Sequence, residues 1–460
     1  MSTQSGARPA IKSHLIAPFL SFLWPGLGQW YNGARRLAVV FALPVAIVFL
    51  VVAIQALGGA QDLVLQMVTP STAMTVAILI GLLGLWRLIA MVEALGSAYP
   101  RGRWRGPVPL AAFMALALVV VGTHVVGAGL AWSLYGFSEQ VFVGEVRPDG
   151  GSYAAEESDD PNVLPVATPA VTPKTAESRI NVLLVGIDSS PTRNHALTDT
   201  LMVVSVDPVS GSVAMISFPR DIGRFPLSGG GTYRGKVNSL MTYAKNHPGQ
   251  FPDGGMPTLT KELGFLLGVP IHYYAAVNLA GFEKVIDLVG GVEVDNQKAI
   301  NDPSYGGWHA KKVGFKLSKG KHLLNGERAL AYVRSRMSPG DTDFGRARRQ
   351  QQLLVALARK LTDPTMLPRV PSLLDGAADA IRTNFPSDRL AEMMRIAERI
   401  DEDAIERVIL KDPYSNRPKD SGEYVLVPDM ARWAKLSIKL FGSDSRYATA
   451  ASEEAPSAKP

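Results

Sequence analysis

Three stretches in the first third of the chain are long and apolar enough to cross a lipid bilayer. They are Leu37–Leu57 (LAVVFALPVAIVFLVVAIQAL), Thr75–Leu95 (TVAILIGLLGLWRLIAMVEAL) and Leu110–Leu130 (LAAFMALALVVVGTHVVGAGL). About twenty apolar residues of helix match the hydrocarbon thickness. A segment in lipid must satisfy every backbone polar group internally, so each stretch is read as a helix. The second carries Arg87 and Glu93, close enough to a helix end to reach the interface or to pair inside the bundle. Leu15–Trp24 is apolar but too short to span, and is read as an interfacial or re-entrant segment. A cleaved signal peptide does not fit, because three long apolar segments follow one another and no cleavage site precedes the polar part.

Positive charge orients the spans. Arg8, Lys12, Arg35 and Arg36 precede the first, and Arg101, Arg103 and Arg105 separate the second from the third. The loop Gly58–Ala73 has no Lys or Arg, and Glu139–Glu157 is mostly acidic. The amino terminus is therefore expected inside and everything after the third span outside. The domain boundaries expected from this reading are 1–36 for a cytoplasmic amino terminus with its interfacial segment, and 37–132 for three transmembrane helices.

A linker is expected at 133–177, because Arg147–Glu177 is rich in Pro, Ser, Thr, Ala, Asp and Glu and cannot bury a core. Residues 178–442 read as a soluble domain, and 443–460 as a disordered tail. Cysteine is absent, which removes disulfides, thiol nucleophiles and zinc thiolates, and the seven scattered His do not suggest a histidine metal site. The net charge of +6 comes without a block of like charges, so no nucleic-acid partner is expected.

Within 178–442, Ile180–Ile187 (INVLLVGI) is a continuous apolar run of the kind that fills a central strand covered on both faces. Leu201–Val206 and Ser212–Phe218 read as further strands with a turn at Asp207–Gly211. Pro257–Leu267, Leu279–Leu288 and Arg346–Leu361 have helical spacing, whereas Arg328–Val333 approaches a strand. Strands interleaved with helices point to an α/β/α sandwich around a central mixed sheet.

Charged residues collect at the expected strand ends, where open sheets bind ligands. Asp188 closes the first strand, Asp199 lies just before the second, and Arg220 and Asp221 close the third. Arg334 and Arg336 are two apart in YVRSR and would share a face if extended. Arg346, Arg349 and Gln350 fall on one face near a helix amino end. Planar guanidinium donors suit a pyrophosphate, and two carboxylates beside them suit an oxygen-seeking Mg²⁺ that bridges to phosphate oxygens. Singly, an aspartate at a strand end is more often a turn residue, and RARRQQ more often a solvated face. The joint placement is what suggests a site for phosphoryl transfer, which needs mainly positioning and charge neutralisation.

The succession GID, TDT, SFPRD, GKVNS, GGV, LNGERALAYVRSR and DFGRARRQ resembles the LytR-CpsA-Psr family of cell-wall assembly proteins, over about Arg179 to Lys360 with a looser continuation to Gly442. The resemblance implies an enzyme that transfers an anionic glycopolymer from a polyprenyl pyrophosphate carrier to a peptidoglycan sugar hydroxyl, with Mg²⁺ as cofactor. It makes Asp188 and Asp199 the metal pair and Arg220, Arg334 and Arg336 the main phosphate ligands. Asp221, Lys236, Asn238, Arg346, Arg349 and Gln350 complete the pocket, with Asp188, Asp199, Arg220 and Asp221 as the catalytic set. Asp199, Asp221 and Asp343 are candidates for a base acting on the acceptor hydroxyl. Two features depart from the family: Arg193 stands five residues after the first aspartate, and Leu197 stands where an arginine is common. The three-span anchor replaces the single span expected of relatives, and PGLGQWYNG is similar to the turn of a small two-helix transmembrane family. A lipid substrate also requires an apolar cavity, for which Leu259–Leu267 and Phe282–Leu288 offer apolar faces. A polyprenyl pyrophosphate phosphohydrolase and a non-catalytic lipid-phosphate-binding regulator of the envelope are the competing readings.

Overall fold

The computed structural model describes residues 16–57, 66–97, 107–142, 178–188, 197–306, 314–339, 343–369, 372–373, 376, 378, 380–419 and 422–448. The chain divides into two compact units, Met1–Gly136 and Phe137–Pro460. The expected linker beyond residue 142, most of the expected tail, and Arg193 lie outside the described residues.

In the first unit, α1 (Ile16–Leu23) and α2 (Leu27–Tyr31) precede α3 (Arg35–Ala56), α4 (Pro70–Ser97) and α5 (Pro107–Val141). Among the described residues, three helices are long and apolar enough to cross a membrane: α3, α4, and α5 over Leu110–Val141. The helix α5 continues past residue 132, where the sequence reading ended it. Within the segment too short to span, Ile16–Leu23 forms α1, which packs against α4. A tight turn makes this possible. Gly26 has a φ of 102°, and a side chain at Gly28 would meet the Ala17 carbonyl at 2.2 Å and Ala94 Cβ at 2.9 Å. The buried Gln29 accepts from Ser21 Oγ (3.0 Å) and donates to the Ala90 carbonyl (2.7 Å), and Asn32 donates to the Ala94 carbonyl (2.8 Å). Of the two expectations for Arg87, the structure shows pairing inside the bundle. Arg87 donates to the Phe22 carbonyl at 2.5 Å and lies over the Phe22 ring, so the short helix supplies the oxygen that hydrocarbon lacks.

The second unit is built on six strands: β1 (Ile180–Asp188), β2 (Leu197–Val206), β3 (Val213–Phe218), β6 (Tyr273–Asn278), β11 (Ile381–Thr383) and β12 (Glu406–Ile409), in the order β11-β6-β1-β2-β3-β12. The β1–β2, β2–β3 and β6–β11 pairs are antiparallel, and β1–β6 and β3–β12 are parallel, which makes the sheet mixed as expected. Smaller ribbons are β4 (Gly223–Pro226) with β5 (Thr232–Lys236), β7 (Val292–Asn296) with β10 (Gly320–Leu324), and β8 (Ile300–Asp302) with β9 (Phe315–Leu317).

Alternation along β1 sends Leu183, Val185 and Ile187 to one face, where α6 (Val237–Asn246), α7 (Gly255–Leu267) and α12 (Met430–Phe441) complete the larger core around Leu240, Leu263 and Trp433. On the other face lie α8 (Leu279–Leu288), α9 (Gly326–Arg334), α10 (Asp343–Thr362) and α11 (Leu390–Ala397). The three layers are thus an α/β/α sandwich. Two expectations are corrected. Arg328–Val333 belongs to a helix, because Asn325 caps it by accepting from the Arg328 N–H (3.1 Å) and the buried Ala329, Leu330 and Val333 fall at helical spacing. Leu259, Leu263, Leu266 and Leu267 pack into the larger core, whereas Phe282, Val285 and Ile286 of α8 line an apolar cavity.

Candidate active site

Opposite the larger core, Leu184, Gly186 and Asp188 of β1 border a cavity of about 250 Å³. Its walls are Leu184 and Gly186 of β1, Met202 of β2, Ala275 and Val277 of β6, Phe282, Val285 and Ile286 of α8, and Leu353, Leu354 and Leu357 of α10. At one end the lining turns polar, with Asp188, Asp199, Thr200, Arg334, Arg346 and Gln350. Gly186 is required there: a Cβ would stand 2.9 Å from Thr200 Cβ.

Asp199 reaches this rim through a bulge. Gly186 pairs with Thr200 and Ile187 with Thr198, so Asp199 is the extra residue between two regular pairs. Thr198 faces the core side, donating to the Asn238 carbonyl at 3.2 Å, and Thr200 faces the cavity. Strict alternation has no place for a third side chain between them, and the bulge re-aims it. Asp199 was expected before the strand and is inside it.

The charges are paired. Arg334 Nη2 donates to Asp188 Oδ2 at 3.1 Å, with the Asp188 side chain only 6% exposed. Arg220 Nη1 donates to both oxygens of Asp199, at 3.3 and 3.1 Å. Asp221 lies 3.6 Å from Arg220 Nε and accepts from Lys236 Nζ at 2.9 Å. Burial works against the Lys236 charge, but the bond and attraction to Asp221, with help from Glu423, raise its pKa above the usual lysine range. Gln350 Nε2 donates to Thr200 Oγ1 (2.9 Å) and the Val333 carbonyl (3.3 Å), tying α10 to β2 and α9.

A second, polar hollow shares a wall with the first cavity. Asp199, Thr200, Arg346 and Gln350 border both, and Arg220, Asp221, Phe344 and Tyr424 border only the hollow.

Not every candidate reaches these walls. Arg336 is exposed and borders neither cavity, because the helix α9 ends at Arg334 and the two arginines do not share an extended face. Arg349 is buried, and its guanidinium donates to the Tyr332 carbonyl (2.7 Å) and the Ser335 carbonyl, so it holds the end of α9. Asn238 is buried and its backbone N–H bonds the Arg220 carbonyl (3.4 Å), fixing the Arg220 loop without lining it. Asp343 begins α10, but its side chain lies outside the described residues.

Sequence reasoning missed four contributors. Asp302 Oδ2 accepts from Ser335 Oγ (2.8 Å) and from the N–H groups of Arg336 and Met337 (both 3.1 Å). Burial alone would raise its pKa, but these bonds lower it, and the carboxylate fixes the turn after Arg334. Thr200 stood in the TDT motif and Phe344 in DFGRARRQ, whereas Tyr424 lay outside every motif.

Asp188 and Asp199, on adjacent strands and bordering one cavity, fit the cation class that takes one or two carboxylates and completes its shell with water and phosphate oxygens. Among the described residues, no three His, Asp or Glu side chains gather as an all-protein cage.

Residues 150–442 match the LytR_cpsA_psr family. The chain belongs to that family. Among its relatives, the polyisoprenyl-teichoic acid–peptidoglycan teichoic acid transferase TagU of Halalkalibacterium halodurans is 29% identical over 220 residues, covering 48% of this chain and 65% of that protein. The regulatory protein MsrR of Staphylococcus aureus is 33% identical over 219 residues, covering 46% and 59%. The crystal structure of B. subtilis TagV aligns with a TM-score of 0.48 at 25% identity, covering 59% of this chain and 98% of that one. The match thus spans less than two thirds of the length of TagU and of MsrR. The LytR_cpsA_psr match includes the whole constellation from Asp188 to Gln350.

Proposed function

We propose that the chain is a phosphotransferase that moves an anionic glycopolymer from a polyprenyl pyrophosphate carrier to peptidoglycan, on the outer side of the cell membrane. The observation that carries this reading is an apolar cavity whose polar end carries the Arg334–Asp188 pair and, at Asp199, meets the hollow bordered by Arg220: a lipid tail suits the first part and a diphosphate the second. The name of TagU, a teichoic acid–peptidoglycan transferase, supports the same substrate class.

In this reading Arg334 and Arg220 exchange their carboxylate partners for phosphate oxygens, and Arg346 adds charge from the shared wall. Asp188 and Asp199 hold Mg²⁺, which supplies charge neutralisation at the phosphates when bound. Arg349 and Asp302 keep Arg334 in place, and Gln350 sets the distance between α10 and β2. Residues 1–36 stay inside, the helices up to Val141 anchor the chain, the segment from there to residue 177 spaces it from the bilayer and 178–442 carry the chemistry.

The test uses the full chain in proteoliposomes with a labelled lipid-linked glycopolymer. Label should appear on added peptidoglycan, fall on chelation and return with Mg²⁺. Equal release of label with and without peptidoglycan would make the protein a phosphohydrolase instead. Binding without turnover would make it a regulator.

A further inference from the structure

A third cavity, of about 630 Å³, shares no residue with the two at the arginine–aspartate pairs. Its size falls in the range of about 300–1,000 Å³ usual for small-ligand sites. It lies at the far end of the sheet: His272 on its wall accepts at Nδ1 from the Asn181 N–H (3.0 Å), and Asn181 stands about 23 Å along β1 from Asp188. The walls are firmly joined. Helix α7 stops at Gly268, whose φ of 85° turns the chain towards β6, and the segment after α12 is laid across that turn. The Arg446 N–H donates to the Gly268 carbonyl (2.8 Å), the Tyr447 hydroxyl donates to the Leu266 carbonyl (3.1 Å), and the Ser437 and Ser445 hydroxyls bond each other at 2.7 Å. The Arg446 guanidinium rests on the Phe265 ring, 3.8 Å from its centroid, which orders a side chain that is otherwise exposed.

Two groups on these walls are left over. A backbone N–H can only donate, so Nδ1 of His272 carries no proton, and the ring, kept neutral by burial, holds its proton on Nε2. His272 is only 5% exposed, yet Nε2 has no partner among the described residues. Asp444 likewise accepts no hydrogen bond and forms no ion pair among them.

We propose that this cavity is a second ligand site, which binds an acidic saccharide unit: Asp444 accepts from its hydroxyls, His272 Nε2 donates to one of its oxygens, and Arg446 and Lys261 meet its acid group. The combination is selective. The Asp444 carboxylate would repel a bare phosphate, which brings it no proton, whereas sugar hydroxyls supply the donors it lacks. Arg446, and Lys261 at the rim beside Asp253 (3.0 Å), favour an acidic sugar over a neutral one. Both an anionic glycopolymer and a peptidoglycan strand with its peptide carboxylates offer this chemistry. Either would be held clear of the reacting phosphates. The site stands whether the chain transfers, hydrolyses or senses, so it does not rest on the phosphotransferase reading.

The test measures binding by the full chain in detergent to two probes, peptidoglycan sacculi stripped of attached polymer and a lipid-free anionic glycopolymer. Asp444→Ala should weaken binding to at least one probe about tenfold, and Asp444→Glu, which keeps the carboxylate, should stay within about threefold of wild type. Asp444 is exposed, so its replacement leaves the fold intact, and an unchanged thermal midpoint checks this. Arg446→Gln should weaken the same probe about threefold and flatten its dependence on salt. Binding at the Arg334 end is common to wild type and Asp444→Ala and cancels in the comparison. Loss with sacculi identifies the wall strand as the ligand, and loss with glycopolymer identifies the cargo. Equal affinity of wild type and Asp444→Ala for both probes, or binding of neither, overturns the site. Transfer assayed on the same preparations reports separately on the phosphotransferase reading.

Discussion

An ionised carboxylate as enclosed as Asp188 needs a cation beside it, and Arg334 fills that need from a helix 146 positions away in sequence. Arg334→Ala should therefore reduce transfer by about 10²–10³-fold and cost about 2 kcal/mol of stability through the stranded aspartate. Arg334→Lys should recover stability better than activity, since a point charge does not reproduce the planar fork; steady-state rates beside thermal unfolding check both. His272 gives a separate prediction. Burial first, and then the positive Arg389, push its pKa down to about 4, while its Nδ1 accepts from the Asn181 N–H at 3.0 Å. The fold therefore favours the neutral ring. Its contribution is fully present above the unfolded-state value near 6.5 and is lost as pH falls towards 4, by at most about 3 kcal/mol. Unfolding midpoints measured from pH 7 to pH 4.5 should fall, and His272→Asn should flatten that slope. The sequence showed which residues carry charge but not where each arginine goes: nothing in RARRQQ reveals that Arg349 caps a neighbouring helix while Arg346 borders the cavity.

At the scale of elements, the strands were legible wherever apolar runs were uninterrupted. The runs INVLLVGI, LMVVSV and SVAMISF are β1, the body of β2 and β3. The segment before Arg334 was not, because Ala, Leu, Tyr and Val satisfy either period over so short a stretch, and only the Asn325 cap decides between them. The apolar cavity was half legible: α7 and α8 have equally apolar faces, and only the sheet topology assigns α7 to the larger core and α8 to the cavity. Small side chains on β6 keep that cavity open, Ala275 among them. Ala275→Phe should fill it and weaken donor binding at least about tenfold, with a smaller effect on acceptor KM; a donor titration under single-turnover conditions reads this.

For the whole molecule, the charge pattern predicts an orientation, and the absence of cysteine makes that prediction measurable. Single cysteines at Asp62, Arg103 and the exposed Val209 sample one loop each side of the spans and the second unit. A membrane-impermeant maleimide applied to intact cells should label Asp62→Cys and Val209→Cys and spare Arg103→Cys. The reverse pattern would place the second unit in the cytoplasm and sink the cell-wall reading. The anchor itself was legible as three spans; the way α1 and α2 fold back on α4 was not, since the Gly28 cradle is a tertiary contact between segments more than sixty positions apart.

Asp199 is a supernumerary residue, and this permits an experiment that substitution does not. Excising it would leave Thr198 and Thr200 as neighbours, already opposite Ile187 and Gly186, so the ladder would close without any strand having to slide. A chain shortened by that single amino acid should fold at least as firmly as its parent and do no chemistry. If so, the irregularity in this otherwise orderly sheet is maintained by selection for turnover, at the expense of stability.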